Sequence, residues 1–450
     1  TCALPILEVE SIVDRNYEKD ITEKKYEYIE KVIQEVLFYK DRKAASTDRI
    51  DKVLTHPVWG VPVFLCIMAL VFFLTFFVGD FLKGGLEYAL GIISELVRAG
   101  MTGLHVADWM ISLIVDGIIA GVGGILTFVP NIFILFLALA ILEDSGYMAR
   151  VAYVMDGIMG KVGLSGRAFL PMVLGFGCTV PAIMATRALE TEHDRRRTMI
   201  ITPFMSCSAR LPIYVLFSEM FFPQCAMVVA FSMYVIGMVM GILVAMVQHK
   251  LEKGKINQSL MIELPEYKRP NARTIRTYVW NKLKDYLTKA GTTIFVASII
   301  IWFILNFGIH GMVSDPAESF GAALGRILVP VLRPAGLGLW QIAVALISGI
   351  SAKEVVVSSF SVLFGVSNVN SAAGMASIVQ NIQHFDPAFG GLNAFCLMLF
   401  CLLYVPCVAT MATIKKESGS WKFTGSIMLF QIGLAWLVSV LVFQIGSFFI

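Results

Sequence analysis

The sequence predicts an all-α fold, a polytopic bundle of transmembrane helices, from its composition and from its long apolar runs. Of its 450 residues, 57% are hydrophobic and only 15% are charged, whereas a soluble domain carries about 25% charged residues. Several runs reach the roughly 20 apolar residues that a helix needs to cross a bilayer. The net charge of +3 is too small to indicate nucleic-acid binding.

Residues 1–54 differ from the rest of the chain because charged residues are frequent there. Apolar residues recur at helical spacing between Ile21 and Phe38, which predicts an amphipathic helix on the cytoplasmic side of the membrane. The first membrane span is predicted from about Gly60 to Val78. Residues 80–107 mix charges with leucine and isoleucine, a pattern typical of a helix that lies at the membrane interface.

Later apolar runs predict further membrane segments, and basic loops predict their orientation. The runs cover residues 108–128, 130–149, 168–187, 199–221, 226–247, 289–308, 337–364, 393–413 and 424–448. Cytoplasmic loops are rich in lysine and arginine, so the N-terminus, the basic stretches at 187–197 and 249–285, and the turn at 415–417 are predicted to be cytoplasmic. Full spans throughout would place that turn outside, so 337–364 is predicted to be re-entrant or a broken hairpin.

Three apolar segments combine a cysteine, a proline and small polar residues. A proline inside a helix lacks an N–H, which frees the carbonyl oxygen one turn earlier, and backbone breaks at membrane depth occur where they line an enclosed site. The breaking prolines are Pro181, Pro212 and Pro406. The candidate metal ligands beside them are Gly177, Cys178, Ser206, Cys207, Ser208 and Cys407.

These ligand types indicate the kind of ion. Thiols with hydroxyl and carbonyl oxygens suit a borderline ion such as Fe²⁺ better than Mg²⁺ or Ca²⁺, although Zn²⁺ and Mn²⁺ stay open. A single cysteine in a membrane helix is more often a small packing residue, and that interpretation is kept for Cys66, Cys225, Cys396 and Cys401. The repetition in three segments favours a shared path, with Fe²⁺ as the transported ion.

Charged residues inside or beside the apolar segments form a second candidate group. They are Glu143, Asp144, Arg150, Arg210, Lys353 and Glu354. Such a residue costs roughly 3 kcal/mol on insertion scales and therefore faces a partner or a cavity. Two interpretations stay open: the charges pair with one another and hold the helices together, or they attract and gate the ion.

The chain shows signs of an internal duplication. A broken glycine-rich segment, followed by a cysteine segment and a basic turn, occurs at 171–212 and again at 345–416. Paired broken helices in two halves frame a midplane site in many transporters, and chance recurrence of glycine and proline is the alternative. The predicted division is an N-terminal segment at 1–54, a first membrane half at 55–285 and a second at 286–450.

These motifs resemble the membrane domain of the ferrous-iron transport protein B (FeoB) family of bacteria. The resemblance rests on TDRID at 47–51, EDSGYMAR at 143–150, GFGCTVP at 175–181 with the arginine at 187, SCSARLP at 206–212 and AKE at 352–354. It implies two pseudo-repeated gate halves with broken or re-entrant helices. It also implies Fe²⁺ uptake across the bacterial inner membrane, with Cys178, Cys207 and Cys407 as ligands along the pore.

The resemblance also implies parts and partners beyond these motifs. The family has a cytoplasmic GTPase and a helical regulator ahead of its membrane domain, and residues 1–54 look like the end of that regulator. The sequence contains no G-x-x-x-x-G-K-[ST] motif, so this chain is expected to lack a GTP site and that upstream domain. A small cytoplasmic Feo protein and further copies of the chain are implied partners, besides the lipid bilayer.

Other functions fit parts of the same pattern. A gate-fold carrier of nucleosides would prefer aromatic and amide side chains at the broken helices, where this chain has cysteines. A membrane enzyme is disfavoured because the sequence has no H-E-x-x-H or G-x-S-x-G motif and only six scattered histidines. A metal sensor that binds without transport stays open.

Overall fold

The computed structural model describes residues 24–32, 51–52, 54–56, 59–127, 129–251, 267–309, 311–313, 316–366 and 371–449. Most of these residues are helical, and the strands found among them are the dipeptides β1 (Phe307–Gly308) and β2 (Gly311–Met312), which pair antiparallel. Five helices in the described part are long and apolar enough to cross a membrane, or up to seven if each of two bent pairs forms one span. The prediction of an all-α, multi-pass membrane protein is therefore confirmed.

Ten helices are described between residues 60 and 251, and several are too short to be full spans. They are α1 (Gly60–Gly103), α2 (Asp108–Ser112), α3 (Ala120–Thr127), α4 (Val129–Asp144), α5 (Tyr147–Lys161), α6 (Phe169–Gly177), α7 (Thr179–Ala185), α8 (Glu192–Ile201), α9 (Leu211–Phe221) and α10 (Ala226–Leu251). The connections include the π-helical stretch Leu113–Ile119 and the 3-10 turns Gly166–Ala168, Thr186–Ala188, Thr202–Phe204 and Ser208–Arg210.

Nine further helices are described after residue 266. They are α11 (Ala272–Asp285), α12 (Gly291–Asn306), α13 (Phe320–Leu332), α14 (Trp340–Ser348), α15 (Val355–Leu363), α16 (Ala372–Phe385), α17 (Gly391–Leu403), α18 (Val408–Ser418) and α19 (Trp421–Phe449). The connections include the π-helical stretch Tyr286–Ala290 and the 3-10 turns Pro316–Glu318 and Arg333–Ala335. The sequence analysis missed α13, which contains two glycines and a proline, and α16, whose polar residues hide its apolar face.

Helix α1 corrects the prediction of a span that ends near Val78 and is followed by an interfacial helix at 80–107. It runs without a break for 44 residues, about 66 Å at 1.5 Å per residue and roughly twice the thickness of the hydrocarbon core. Lys83 and Glu87 lie 3.6 Å apart on one face, because residues four positions apart are neighbours on a helix. The glycine pair at 84–85 weakens a helix but keeps its N–H groups, so the helix continues.

The predicted single segment at 130–149 is also wrong. Helix α4 ends at Asp144, and its axis meets that of α5 at 83°. Gly146, between the two helices, has a φ of +83°, a left-handed conformation that glycine adopts without the steric penalty of a side chain. The bend therefore falls within the EDSGYMAR motif.

The predicted break at 337–364 is confirmed. Helices α14 and α15 are separated by residues 349–354, and α14 lies at 103° to the preceding segment Phe320–Ala335. The run at 199–221, expected to be a helix with a proline break, is non-helical or 3-10 from 202 to 210.

The structure describes little of the predicted N-terminal segment 1–54. Residues 24–32 form an exposed helix within the predicted stretch from Ile21 to Phe38, whose remainder lies outside the described residues. The limits of the two gate halves, at 55–285 and 286–450, stay predictions.

The segment formed by α17 and α18 lies at the centre of the bundle. In the apolar window of Gly391–Ser418, 78% of the residues are buried, against 28% in α10 and 22% in α19. The exposed side chains of those outer helices are large and apolar, such as Phe231 and Leu429. Faces of this kind are typical of a surface that contacts lipid, and the central position puts the break before α18 deep in the protein.

Candidate functional site

A cavity of about 120 Å³ lies where the broken helices meet. Its wall brings together all three predicted cysteines, Cys178, Cys207 and Cys407. The other predicted residues on the wall are Gly177, Ser208, Arg210, Lys353, Glu354 and Pro406. Polar residues on the wall that the sequence analysis did not predict include Thr75, Asn131, Tyr286, Ser351 and Thr410. A space of this volume holds several water molecules or a small, partly hydrated ion.

Cys178 is a single extended residue between α6 and α7, with φ −152° and ψ 131°. Its N–H donates to the carbonyl of Leu174 at 3.0 Å, which completes the last turn of α6. Its half-buried side chain lies at the cavity wall. One extended residue is thus enough to interrupt the helix at the predicted cysteine.

Cys207 lies in an irregular segment that precedes α9. The neighbouring Ser206 is fully buried, and its hydroxyl lies 3.0 Å from the hydroxyl of Tyr214. Ser206 lies outside the cavity wall, whereas Ser208 belongs to it. Of the two serines predicted as ligands, the structure therefore places one beside the cysteines and pairs the other with a tyrosine.

Cys407 lies in the irregular segment between α17 and α18. Its Sγ is 3.2 Å from the Oγ1 of Thr410, which is fully buried one turn further on. Residue Pro406 precedes the cysteine and also lies on the wall. This break therefore presents a thiol and a hydroxyl side by side.

Pro181 and Pro212 do not leave the free carbonyls that the sequence predicts. Pro181 lies in the first turn of α7, where backbone N–H groups have no partner within the helix in any case. The carbonyl of Gly177 accepts a hydrogen bond from the Ser208 hydroxyl at 2.9 Å. Pro212 lies in the first turn of α9. The carbonyl of Ser208 accepts a hydrogen bond from the N–H of Leu211, the first residue of α9. Each carbonyl oxygen keeps a second lone pair for another donor or an ion.

The residues that follow Cys207 and Cys407 tie these two breaks to other broken helices. In the first half, the hydroxyl of Ser208 donates to the carbonyl of Gly177 at 2.9 Å. In the second half, the N–H of Val408 donates to the carbonyl of Ile350 at 2.8 Å. The two predicted repeats, 171–212 and 345–416, thus share a contact that residue identity does not reveal.

A buried cation also holds the carbonyl two residues before each of these cysteines. Arg210, 1% exposed, donates to the carbonyls of Pro203 at 3.1 Å and Met205 at 3.4 Å. Lys353, 2% exposed, donates to the carbonyl of Val405. Both side chains lie on the cavity wall, so two basic side chains fix the backbone beside the thiols.

The third charged residue on the wall is Glu354, which follows Lys353 directly. It lies within electrostatic range of Lys83 and Glu87 of α1. Within the described residues, no three His, Cys, Asp or Glu side chains form a group that could hold a metal ion. The donors available to an ion in this cavity are therefore mixed: thiols, hydroxyls, carbonyl oxygens and one carboxylate.

Arg150 lies in a different part of the molecule. It is fully buried, its Nε donates to Asp51 at 3.0 Å, and its guanidinium lies 4.0 Å from the ring centre of Tyr267. Tyr267 in turn donates to Asp51 at 2.8 Å. Burial and the hydrogen bond to this carboxylate raise the pKa of Tyr267 to about 12. The cluster joins three distant stretches of chain.

Glu143 and Asp144 contact α11 rather than the cavity. The carboxylate of Asp144 accepts the N–H of Asn271, the residue before α11, at 2.7 Å. Glu143 interacts with the hydroxyl of Tyr278. The six predicted charges therefore divide into three at the cavity wall and three at contacts between helices.

The unpredicted wall residues carried weak signals in the sequence. Asn131 follows Pro130 at the start of an apolar run, and its side chain donates to Asp80 of α1 at 3.0 Å. Thr410 lies three residues after Cys407, which places both on one side of a helix turn. Tyr286 begins a π-helical stretch, and nothing in its neighbourhood in the sequence indicates the cavity.

Comparisons with known proteins give two matching family models. One, described as Gate, nucleoside recognition, matches residues 125–221 and 287–421. The other, described as ferrous iron transport protein B C terminus, matches residues 230–282. The first model covers both segments that contain the cysteine breaks. No solved structure gives a significant match.

Curated relatives match nearly the whole chain. A protein of Staphylococcus aureus (strain MSSA476) named Fe(2+) transporter FeoB is 42% identical over 94% of this chain and 63% of its own length. A protein of the same name from Methanocaldococcus jannaschii is 38% identical over 96% of this chain and 63% of its own length.

A third relative, from Porphyromonas gingivalis, is named Fe(2+) transport protein A/Fe(2+) transporter FeoB fusion protein. It is 37% identical over 97% of this chain and 56% of its own length. The chain thus spans about 63% of the length of the first relatives. With both gate segments and nearly all of its length matched, the chain belongs to the FeoB family.

Proposed function

We propose that this chain carries Fe²⁺ across the bacterial inner membrane through the cavity between its two gate halves. The observation that carries the proposal is that three cysteines from three separate helix breaks line one cavity. The relatives named Fe(2+) transporter support Fe²⁺ as the ion. The chain acts as a transporter in this proposal and catalyses no reaction of its own.

The donors on the wall suit transfer of a borderline ion from site to site. A thiol and hydroxyl at Cys407 and Thr410, a thiol at Cys178, and a thiol and hydroxyl at Cys207 and Ser208 provide successive partners. An ion passes through a pore when each site attracts it enough for entry and weakly enough for release. The guanidinium of Arg210 lowers the affinity for a cation, and the carboxylate on the wall raises it.

The orientation follows from the basic loops. We place the N-terminus, the arginine-rich start of α8 and the turn after α18 in the cytoplasm. Arg197 donates to the carbonyl of Gly163 at 2.6 Å, so the turn after α5 lies on the same side. In this orientation the segment at 1–54 would receive an upstream GTPase domain from the cytoplasm, as the family resemblance implies.

The partners proposed for the complete protein are that upstream domain, a small cytoplasmic Feo protein and further copies of the chain. The relative named as a fusion of Fe(2+) transport protein A with the transporter supports the second of these. Two alternatives compete with this proposal. In one, the chain transports Zn²⁺, Mn²⁺ or a nucleoside, and in the other it is a metal sensor that does not transport.

The experiment measures anaerobic Fe²⁺ entry into liposomes that contain the purified chain, with Zn²⁺, Mn²⁺ and a nucleoside as comparison solutes. Cys178→Ser, Cys207→Ser and Cys407→Ser are each expected to reduce Fe²⁺ entry about tenfold, a typical effect of disturbing a metal-binding group. Cys396→Ser is the matched control, because Cys396 is fully buried in α17 and lies outside the cavity wall.

A spectroscopic readout separates binding from transport. Co²⁺ bound to thiolates absorbs strongly, and this absorption is expected in the unchanged chain and reduced in each of the three cavity variants. If none of the three substitutions changes Fe²⁺ entry or Co²⁺ absorption, these cysteines are packing residues and do not bind the ion. Entry of the nucleoside instead of Fe²⁺ would favour the competing carrier.

A further inference from the structure

The helices that follow two of the cysteine breaks lie side by side. Helix α7 begins directly after Cys178, and helix α18 begins directly after Cys407. The two helices pack against each other, and they come from the two separate segments of the gate family model. The distance between these cysteines therefore depends on how α7 and α18 are held together.

The far ends of the two helices are joined by an ion pair. Arg187 follows α7, and Glu417 lies in the last turn of α18. The Nε of Arg187 donates to one carboxylate oxygen of Glu417 at 2.6 Å, and its Nη2 donates to the other oxygen. Two parallel hydrogen bonds of this kind fix the relative orientation of both groups as well as their distance.

The burial of this pair distinguishes it from an ordinary surface contact. The side chain of Glu417 is 5% exposed, and that of Arg187 is 43% exposed. Exposed ion pairs contribute little, whereas removal of one partner from a buried carboxylate leaves a costly charge behind. The pair is therefore able to hold its two helices in one arrangement.

A third helix joins the same contact. Asp285, the last residue of α11, lies 3.4 Å from Lys416, the neighbour of Glu417. Lys282, one turn earlier in α11, lies close to Arg187, and burial together with this positive charge lowers the pKa of Lys282. Helix α11 begins next to α4 at Asn271, so the contact is supported from the first half as well.

We propose that Arg187 and Glu417 are positioning residues that set the spacing of Cys178 and Cys407 in the ion path. Both residues lie close to the cysteines along the chain. Arg187 is nine positions after Cys178 and Glu417 is ten positions after Cys407, which corresponds to about 13 and 15 Å of helix. The role in ion transfer rests on the function proposed above, but the spacing itself does not.

The test is the rate at which Cys178 and Cys407 are joined by a short bifunctional thiol reagent. It uses the full chain in detergent, with its other cysteines replaced by serine. Arg187→Ala and Glu417→Ala are each expected to slow the joining about tenfold, within the usual range of coupling between sites. The exchanged pair, Arg187→Glu with Glu417→Arg, restores the contact in reverse and is expected to recover the rate to within about threefold.

Two controls keep the result specific. Arg167→Ala removes another ion pair of the first half, with Glu190 at 2.6 Å and both side chains more exposed than Glu417, and it is expected to leave the rate unchanged. Arg187→Lys keeps the positive charge but cannot form the two parallel hydrogen bonds to Glu417. Its joining rate is expected to lie between those of the unchanged chain and Arg187→Ala. Single variants that react as fast as the unchanged chain, or an exchanged pair as slow as the single variants, would overturn the proposal.

Co²⁺ absorption by the chain with all its cysteines distinguishes this proposal from the proposed transport function. If the unchanged chain shows no thiolate-bound Co²⁺ while the joining rates follow the expected order, the positioning role stands and the ion path is wrong. If Co²⁺ binds to the thiols while the joining rates do not change, the ion path stands and the positioning role is wrong.

Discussion

The two halves of the cavity hold their cysteine breaks in the same way with different residues. In the first half the anchoring cation, Arg210, lies three residues after Cys207 in the same segment. In the second half that position is Thr410, and the cation, Lys353, comes from the other broken helix. What the halves share is a donor to the carbonyl two residues before the cysteine.

This difference accounts for the low residue identity between the two predicted repeats. A carbonyl oxygen accepts equally well from a guanidinium or an ammonium group, and a hydroxyl or a backbone N–H can close the second contact. The property that the two segments share is the position of the acceptor, which fixes the backbone beside the thiol. The donor residue differs between the segments and lies at a different place in the chain.

The largest effect is expected from removal of the anchoring cations. Arg210→Met leaves the carbonyls of Pro203 and Met205 without this donor, and Lys353→Met leaves that of Val405. With about 1–3 kcal/mol for each buried acceptor left unpaired, Arg210→Met is expected to lower the free energy of unfolding by about 4 kcal/mol. About half of that loss is expected for Lys353→Met, as measured by denaturant unfolding in detergent.

Matched substitutions test whether the comparison of the halves is correct. Arg167→Met removes an arginine of the first half that pairs with Glu190 at a partly exposed site, and a change below about 1 kcal/mol is expected. Equal losses for Arg210→Met and Lys353→Met would show that the number of carbonyls held does not determine the contribution. Losses as small as that of the control would show that neither cation anchors its break.

A smaller effect is expected from the second contact of each break. Ser208→Ala removes the donor to Gly177, and Val408→Pro removes the N–H that donates to Ile350. Proline is accepted at the first position of a helix, and Cys407 already has the extended ψ of 156° that precedes a proline readily. Each change is expected to cost about 1 kcal/mol and to speed maleimide labelling of the cysteine in its own half.

The half-specific readout makes this prediction strict. Ser208→Ala is expected to speed labelling of Cys207 and leave that of Cys407 unchanged. Val408→Pro is expected to speed labelling of Cys407 and leave that of Cys207 unchanged. Val408→Ala keeps the N–H and serves as the control for the lost side chain. Labelling that rises equally in both halves would mean that the contacts stabilise the cavity as a whole and not their own break.

The same comparison shows which parts of the site the sequence could predict. The membrane class follows from residue counts, and the breaks follow from cysteine, proline and glycine within single segments. Each of these signals is local. The sequence therefore placed Cys178, Cys207 and Cys407 beside helix breaks, and the structure adds that the breaks meet at one cavity.

The remaining features depend on packing between segments that are far apart in the chain. Asn131 of α4 and Tyr286, in the π-helical stretch after α11, both line the wall, and no local pattern encodes those positions. Ser206 and Ser208 look equivalent in the sequence, yet one hydroxyl is held by Tyr214 and the other lies at the cavity. The sequence does not predict the 44-residue length of α1, because charged residues within an apolar run usually mark the end of a membrane span.

The smallest effect is expected at Thr410, which occupies the position that Arg210 has in the first half. Its hydroxyl lies 3.2 Å from the sulfur of Cys407, and sulfur is a weak hydrogen-bond partner. Thr410→Val keeps the shape of the side chain and is expected to change the free energy of unfolding by less than about 1 kcal/mol. Its expected signature is a shift of about twofold in the rate of maleimide labelling at Cys407.

Thr413→Val provides the control for this change. Thr413 lies one turn further along α18, where its hydroxyl donates to the carbonyl of Ala409 at 2.8 Å. A labelling rate that shifts with Thr410→Val and not with Thr413→Val would show that the hydroxyl acts on the thiol directly. Equal shifts would trace the effect to the helix, and the second half would then position its thiol through Lys353 and Val408 alone.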